Sequence, residues 1–428
     1  MNEVIMKKTK YDAYVNILKE ELVPAMGCTE PIAVAYTASV ARKTLGELPS
    51  KVEIIVSGNI IKNVKSVIVP NTNGMRGIPA AAAIGIVAGN PDKELEVISE
   101  VTQEQIGQTK DFLENTEITI RESTSGCIFD IMIVLSTDTH SATVRTTGFH
   151  TNIIHIEKDG TTLFQKEYTD SAADLKTDRS VLNVKDIVEF ANTVSIDDIK
   201  DVIARQISYN TAIAQEGLRG NWGANIGKIM LSYGDTVQTR AKAMAAAGSD
   251  ARMNGCELPV IINSGSGNQG MTTSLPVIVY AEEMKVSDDL LYRALVVSNL
   301  ITIHLKNGIG RLSAYCGVIS AGCGAGAGIA YLHGGQYEEI SHTIVNAVAI
   351  NSGVVCDGAK SSCAAKIASA VEAGILGMEM YRNGSQFYHG DGIVTKGVEN
   401  TIENISKLAR DGMRETDKEI IQLMTKNI

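Results

Sequence analysis

The spacing of hydrophobic and polar residues divides the chain into three parts. Residues 9–22 repeat apolar side chains at helical intervals, and a second helix is expected from Pro31 to Leu45 with Thr29 as its N-cap. Short runs rich in β-branched residues follow and are separated by turn residues. Strands are predicted at 52–56, 66–69, 117–121, 128–135, 142–147, 152–157 and 162–167.

The last four of these strands predict an antiparallel meander, and a helix at 79–88 interrupts the series. After residue 178 the pattern is helical, apart from a short strand at 258–263. Small residues are frequent in this half, which favours helices that approach one another closely. Helices are predicted at 185–194, 197–215, 223–231, 236–248, 272–284, 287–303, 336–350, 361–377 and 397–411.

The pattern predicts an α+β protein with three parts. We expect residues 1–47 to form N-terminal helices packed on the C-terminal domain, and residues 48–175 to form an α+β module with an antiparallel sheet. Residues 176–428 are expected to form that mainly helical C-terminal domain, with buried helices rich in small residues. We also expect a homo-oligomer, a dimer.

Composition narrows the class of protein. The chain has 428 residues, of which 44% are hydrophobic and 21% charged, a balance typical of a folded globular protein. The net charge is −10 and no basic cluster occurs, which argues against nucleic acid or an anionic membrane as a partner. The first residues lack the apolar segment of a secretory signal, so a cytoplasmic location is expected.

Cysteine is the most informative residue type. Of seven cysteines, Cys316, Cys323, Cys356 and Cys363 fall within 48 residues. An odd number in a long chain without an export signal argues against a disulfide framework. Such clustering is typical of metal binding, of catalysis, or of small buried apolar residues.

These four cysteines form two pairs, each seven residues apart. Seven residues of continuous helix rise about 10 Å, too far for two thiolates on one compact cluster. The Asp-Gly turn after Cys356 would break the helix and let both Cys356 and Cys363 reach one site. In the other pair Cys316 is preferred as a ligand and Cys323 as a packing residue of its Gly/Ala-rich segment, but spacing alone leaves both possible.

Cys28 lies just before the helix that Pro31 opens. Free N–H groups and the helix dipole there would lower the pKa of its thiol and favour a reactive thiolate, and the neighbouring Glu30 could carry a proton. A buried structural cysteine beside a first-turn acid explains the same pattern equally well.

Two loops rich in Asn, Ser and Gly precede helices and are candidate anion sites. Their candidate substrate-binding residues are Asn71, Asn73, Gly74 and Arg76 in the first loop, and Asn263, Ser264, Ser266, Asn268 and Gln269 in the second. Lys360, between two cysteines, is a further candidate. Ordinary capping chemistry explains the first loop as well, and the second resembles the phosphate loop of pyridoxal-dependent enzymes of fold type II.

At GCTEP, GNQG, YCG and CDGAKSSC the sequence resembles the L-cysteine desulfidase family, almost from end to end. Its C-terminal 250 residues also resemble the α-domain of iron–sulfur L-serine dehydratases. The resemblance implies a [4Fe–4S] cluster on Cys316, Cys356 and Cys363 with one iron free for substrate, and no pyridoxal phosphate. Cys28 would be a catalytic thiol or base, or a replaceable fourth ligand. The GC pattern of the serine dehydratases matches Cys323 better than Cys316.

The function that follows from this resemblance is elimination of sulfide from L-cysteine, giving pyruvate and ammonia. Alternatives are deamination of L-serine or another β-substituted amino acid by the same mechanism, and a pyridoxal-dependent lyase with Lys228 or Lys242 as its Schiff-base lysine. A protein that binds an amino acid or senses redox state without turnover is a third class.

Overall fold

Two sheets and sixteen helices are present in the computed structural model, which describes residues 6–168, 177–310 and 312–425. The predicted domain boundary at 175/176 lies outside these residues. The strands are β1 Pro24–Met26, β2 Lys51–Val56, β3 Glu117–Glu122, β4 Asp130–Ser136, β5 Ser141–Thr147, β6 Ile153–Lys158, β7 Thr161–Gln165 and β8 Pro259–Ile261.

The helices are α1 Lys8–Glu21, α2 Thr29–Leu45, α3 Gly58–Val64, α4 Gly77–Ala88, α5 Gln103–Asn115, α6 Val184–Thr193, α7 Ile196–Arg219, α8 Ile226–Leu231, α9 Val237–Met253, α10 Gly267–Met284, α11 Asp288–Ile309, α12 Val318–Leu332, α13 Tyr337–Ile350, α14 Cys363–Arg382, α15 Val398–Lys407 and α16 Arg414–Thr425. The α+β class predicted from the sequence is therefore confirmed.

The larger sheet has six strands in the order β3-β2-β4-β5-β6-β7. Strands β4 to β7 form the predicted antiparallel meander. The expectation of a wholly antiparallel sheet is wrong, because β3 pairs parallel to β2 with Lys51 opposite Glu117. Helices α3 to α5 lie between these two strands in sequence, and such a crossover returns the chain to the same end of the sheet.

One face of this sheet is covered by helices. Ile131, Ile133 and Leu135 alternate along β4 and are fully buried, as expected for a strand with one face on a core. The covering helices α2 and α4 approach closely, since a Cβ on Gly85 would lie 2.2 Å from the Ala35 carbonyl oxygen. Helix α2 thus packs on the sheet, whereas both N-terminal helices were expected on the helical part; α1 does join the core of the helical part.

The helical half owes its close packing to small residues, as predicted. A Cβ on Gly322 would lie 2.2 Å from the carbonyl oxygen of Ala370, so α12 and α14 touch through their backbones. A Cβ on Gly374 would in turn meet the Gly322 carbonyl oxygen at 2.1 Å. Residues larger than glycine would therefore separate these helices.

Two local predictions were wrong, and helices α3, α5, α12 and α16 were not predicted. Residues 66–69 form no strand but a single bridge between Ile68 and Arg76. Helix α12 was not predicted, because its Gly/Ala-rich sequence lacks helical periodicity. Thr29 is not the N-cap of α2: Cys28 holds that position, and the Thr29 hydroxyl donates to the Gly265 carbonyl oxygen at 3.1 Å.

A two-stranded antiparallel sheet joins the N-terminal segment to the helical half. Ala25 of β1 lies opposite Val260 of β8. Cys28 lies two residues after the end of β1, and the loop 263–266 begins two residues after the end of β8, so this pairing brings the two predicted segments together. None of the helices in the described ranges has the length and apolar character needed to cross a membrane.

Candidate functional site

One cavity lies where the sheet module, the N-terminus of α2 and the loops of the helical half meet. It has a volume of about 110 Å³, enough for several water-sized groups. Five of its lining residues were predicted together with the cysteines: Glu30, Ser264, Ser266, Asn268 and Gln269. Cys28, Cys316, Cys356 and Cys363 line the same cavity.

Cys316 and Cys356 are held together by their backbones. The Cys316 N–H donates to the Val354 carbonyl oxygen at 3.0 Å, and the Cys356 N–H donates to the Ala314 carbonyl oxygen at 2.6 Å. These bonds flank the bridge between Tyr315 and Val355. Two loops distant in sequence therefore present their thiols side by side.

Cys363 reaches the cavity because the helix does not extend back to Cys356. It is the first residue of α14, and its sulfur lies 3.7 Å from the Gly358 carbonyl oxygen. Ser362 is the N-cap, although its side chain makes no capping bond. Cys323 lies inside α12, is 1% exposed and does not line the cavity.

The thiols influence one another's ionisation. A hydrogen bond from Cys316, together with the nearby Lys62 charge, lowers the pKa of Cys356. The same hydrogen bond and burial raise the pKa of Cys316. Burial raises the pKa of Cys363 as well. Within this pair the negative charge is therefore favoured on Cys356.

The environment of Cys28 favours the thiol over the thiolate, which supports the alternative of a buried structural cysteine. Burial, followed by the negative charge of Glu30, raises the pKa of Cys28 well above its ordinary value and outweighs the helix dipole. The thiol donates to the Glu30 carboxylate at 3.4 Å. Asn63 also donates to this carboxylate, at 3.2 Å, so two side chains hold Glu30 in place.

The second Asn/Ser/Gly loop is part of the cavity wall. Ser264 has a left-handed backbone, φ 50°, and its hydroxyl donates to Asn263 at 2.8 Å. Asn263 itself is fully buried, donates to Asn299 at 2.9 Å and supports the loop from behind the wall. Gln269 is 5% exposed, and its Oε1 has no partner among the described residues.

The first Asn/Gly loop does not reach the cavity. Asn71 donates to the Ile98 carbonyl oxygen at 2.7 Å, and Asn73 to Gln103 at 2.8 Å. Arg76 is exposed and donates to the Ser66 carbonyl oxygen at 3.1 Å, and Gly74 faces open space. The contacts of this loop are local, as expected from ordinary turn and capping chemistry.

Lys360 also lies outside the cavity lining, where it pairs with Asp357 at 2.5 Å. Lys366 does line the cavity; it pairs with Asp357 and donates to the Val355 carbonyl oxygen at 2.9 Å.

Several lining residues were not predicted from the sequence, because tertiary contacts bring them to the cavity. They are Lys62, Asn63, Phe129, His150, Arg252, Lys306 and Lys366. The His150 ring stands against Phe129 with a centroid distance of 5.0 Å. Lys62 is buried and pairs with Asp417 of α16 at 2.5 Å. Nothing local in the sequence marks these positions. The positive charges of the three lysines and of Arg252 make the cavity suitable for anions.

The thiols suit a cluster better than a single ion. Within residues 6–168, 177–310 and 312–425, no group of three or more His, Cys, Asp or Glu side chains converges on one point that could hold a metal ion. A [4Fe–4S] cluster binds each thiolate on a different iron, so its cysteines need not converge on one point. Three thiols that line one cavity, together with cationic side chains, fit such a group in donor type and charge.

Comparison with known proteins supports the resemblance to the α-domain of serine dehydratases. Residues 92–422 match the family described as serine dehydratase alpha chain. The chain belongs to this family. The match begins well before the C-terminal 250 residues and includes most of the six-stranded sheet.

Full-length relatives carry the name UPF0597 protein. One from Desulfitobacterium hafniense is 62% identical over 97% of this chain and 96% of its own length. Relatives from Lachnoclostridium phytofermentans and Treponema denticola are 51% and 48% identical, over 97% and 99% of this chain and 99% and 100% of their own lengths. The family match contains Cys316, Cys356 and Cys363, whereas Cys28 and Glu30 precede it.

Proposed function

We propose that this protein is an iron–sulfur lyase that converts L-cysteine and water to pyruvate, ammonia and sulfide. The observation that supports the proposal most directly is the presence of Cys316, Cys356 and Cys363 in one cavity with Cys28 and Glu30. Membership of the serine dehydratase alpha-chain family supports an elimination reaction at a small amino acid.

Cys316, Cys356 and Cys363 would hold a [4Fe–4S] cluster, whose open iron supplies a Lewis acid for the leaving group when the cluster is bound. The chain provides the surrounding charge, since Lys62 and Lys366 lie near the thiolates and offset their negative charge.

Proton transfer falls to the residues at the start of α2. The Glu30 carboxylate removes the α-proton of the substrate, while the Cys28 thiol, hydrogen-bonded to it, fixes its orientation. As the α-carbon loses its proton, the bond between the β-carbon and sulfur breaks and sulfide leaves. The remaining aminoacrylate tautomerises to an imine, which water hydrolyses to pyruvate and ammonia.

L-serine is the second candidate substrate, and the family description favours it. The same proton transfer would then release hydroxide as water instead of sulfide. Parallel anaerobic assays of pyruvate from L-cysteine and L-serine, with sulfide measured in the first, decide between them. Faster turnover of L-serine would contradict the cysteine specificity, and no pyruvate from either would contradict the lyase.

The pyridoxal-dependent alternative has weaker support. Lys228 donates to the Gly220 carbonyl oxygen, and Lys242 pairs with Glu372 at 2.6 Å; neither lines the cavity. Reduction with borohydride followed by peptide mapping would reveal a Schiff-base lysine.

A non-catalytic amino-acid-binding protein would bind L-cysteine under strict anaerobiosis without releasing sulfide or pyruvate. The expected dimer remains a proposal that light scattering tests.

A further inference from the structure

Arg252 is a buried cation that forms no ion pair with the residues described by the structure. It lies at the end of α9, lines the cavity and is 2% exposed. In the part of the chain that the structure describes, its guanidinium makes one hydrogen bond, from Nη1 to the Asn268 side-chain oxygen at 3.1 Å, and its Nε has no partner. A buried charge without a partner is costly, so a group that supplies negative charge is expected there.

The start of helix α10 adds N–H donors beside this guanidinium. The N-cap residue Ser266 makes no side-chain capping bond, and the first N–H groups of a helix have no acceptor within it. Gly267 permits the close approach, because a Cβ there would lie 2.4 Å from Arg252 Nε. Asn268 both holds the guanidinium and belongs to this first turn.

We infer that Arg252 and the first turn of α10 bind the α-carboxylate of an amino acid. A guanidinium offers parallel N–H donors that match a carboxylate, and backbone N–H groups at a helix N-terminus favour the same charge. The identification of the ligand as an amino acid rests on the proposed function, but the carboxylate site does not depend on turnover.

The carboxylate site also limits which substrates the cavity would accept. Glu30, Cys316, Cys356 and Cys363 line the same cavity as Arg252. An amino acid held at Arg252 by its carboxylate would therefore share the cavity with these groups. Amines without a carboxylate, such as cysteamine, should therefore not be substrates even though they carry the leaving group.

The test compares two small ligands and four proteins, purified anaerobically with their iron content measured. L-alanine and ethylamine differ only by the carboxylate, and neither has a leaving group, so binding is measured by calorimetry without turnover. The proteins are wild type, Arg252→Gln, Arg252→Lys and Arg240→Gln. Arg240 is a matched control on the same helix, where it pairs with Asp235 and Glu283 near the surface.

We expect wild type and Arg240→Gln to bind L-alanine and not ethylamine. Arg252→Gln should weaken L-alanine binding about tenfold or more with unchanged iron content, and Arg252→Lys should bind with intermediate affinity. Equal binding of ethylamine and L-alanine by wild type overturns the inference without use of any variant. Undiminished binding by Arg252→Gln also overturns it, as does a loss of iron in both Arg252 variants, which would make Arg252 a partner of the cluster. If the protein binds L-alanine but does not turn over L-cysteine, the carboxylate site is supported and the proposed lyase activity is refuted.

Discussion

Replacing Gly358 with alanine should loosen the loop that carries Cys356. Gly358 has φ +92°, and a Cβ there would lie 2.2 Å from the Lys62 carbonyl oxygen on α3. The left-handed backbone costs an L-residue about 1–2 kcal/mol. Forcing two backbone segments apart adds a further cost of about 1–3 kcal/mol, typical of overpacking. We therefore expect the free energy of unfolding to fall by about 2–5 kcal/mol.

Urea unfolding followed by circular dichroism measures this change, and two glycines serve as controls. Gly74 has φ +87° with nothing within 4 Å, so Gly74→Ala reports the backbone cost alone. Gly353 lies in the same loop as Gly358, with open space and no positive φ, so Gly353→Ala should change stability little. If Gly358→Ala is no more destabilising than Gly74→Ala, the contact with α3 does not hold the loop.

Three further changes test ionisable groups of the protein. Asp417→Asn leaves Lys62 buried without its partner and should lower the free energy of unfolding by about 3–5 kcal/mol, measured by urea unfolding; adding Lys62→Met should restore part of it. Glu30→Gln should lower kcat about 100-fold to 10,000-fold with unchanged iron content, and an unaltered rate would remove Glu30 as the base; the exposed Glu104→Gln is the control. Burial raises the pKa of Asp250 to about 6, so the folded state holds this proton more tightly than the unfolded chain does. The contribution of Asp250 to stability is thus full below about pH 4 and is lost as the pH rises through 6, and Asp250→Asn should flatten that part of the stability–pH curve.

Much of the sheet could be predicted because its strands have one buried face. Alternation along β4 and the Asp159–Gly160 turn before β7 are local signals. The parallel pairing of β2 with β3 could not be read in this way, since it depends on a crossover of three helices. Helix α12 escaped prediction because glycine and alanine give no apolar periodicity, although its fit against α14 requires them.

The site was predictable where residues near one another in sequence define it. The rise of a helix indicated that Cys316 and Cys323 cannot both bind one compact cluster from a continuous helix. The Asp-Gly turn explained how Cys363 could reach the cavity. The sequence left open whether Cys28 is a thiolate or a buried thiol, because the burial and the Glu30 charge that raise its pKa are tertiary effects. Lys62 and Arg252 were not predicted as site residues for the same reason, because the sequence alone does not show whether a cationic side chain is exposed or buried.

Anaerobic quantification of iron and acid-labile sulfide tests the central claim most directly. We predict about four irons and four sulfides for each wild-type chain, the stoichiometry of a [4Fe–4S] cluster. Cys316→Ala, Cys356→Ala and Cys363→Ala should each lose most of this content, while Cys323→Ala, whose thiol lies in the packed interior of α12, should keep it. Wild-type protein without iron, or a loss confined to Cys323→Ala, would contradict the account.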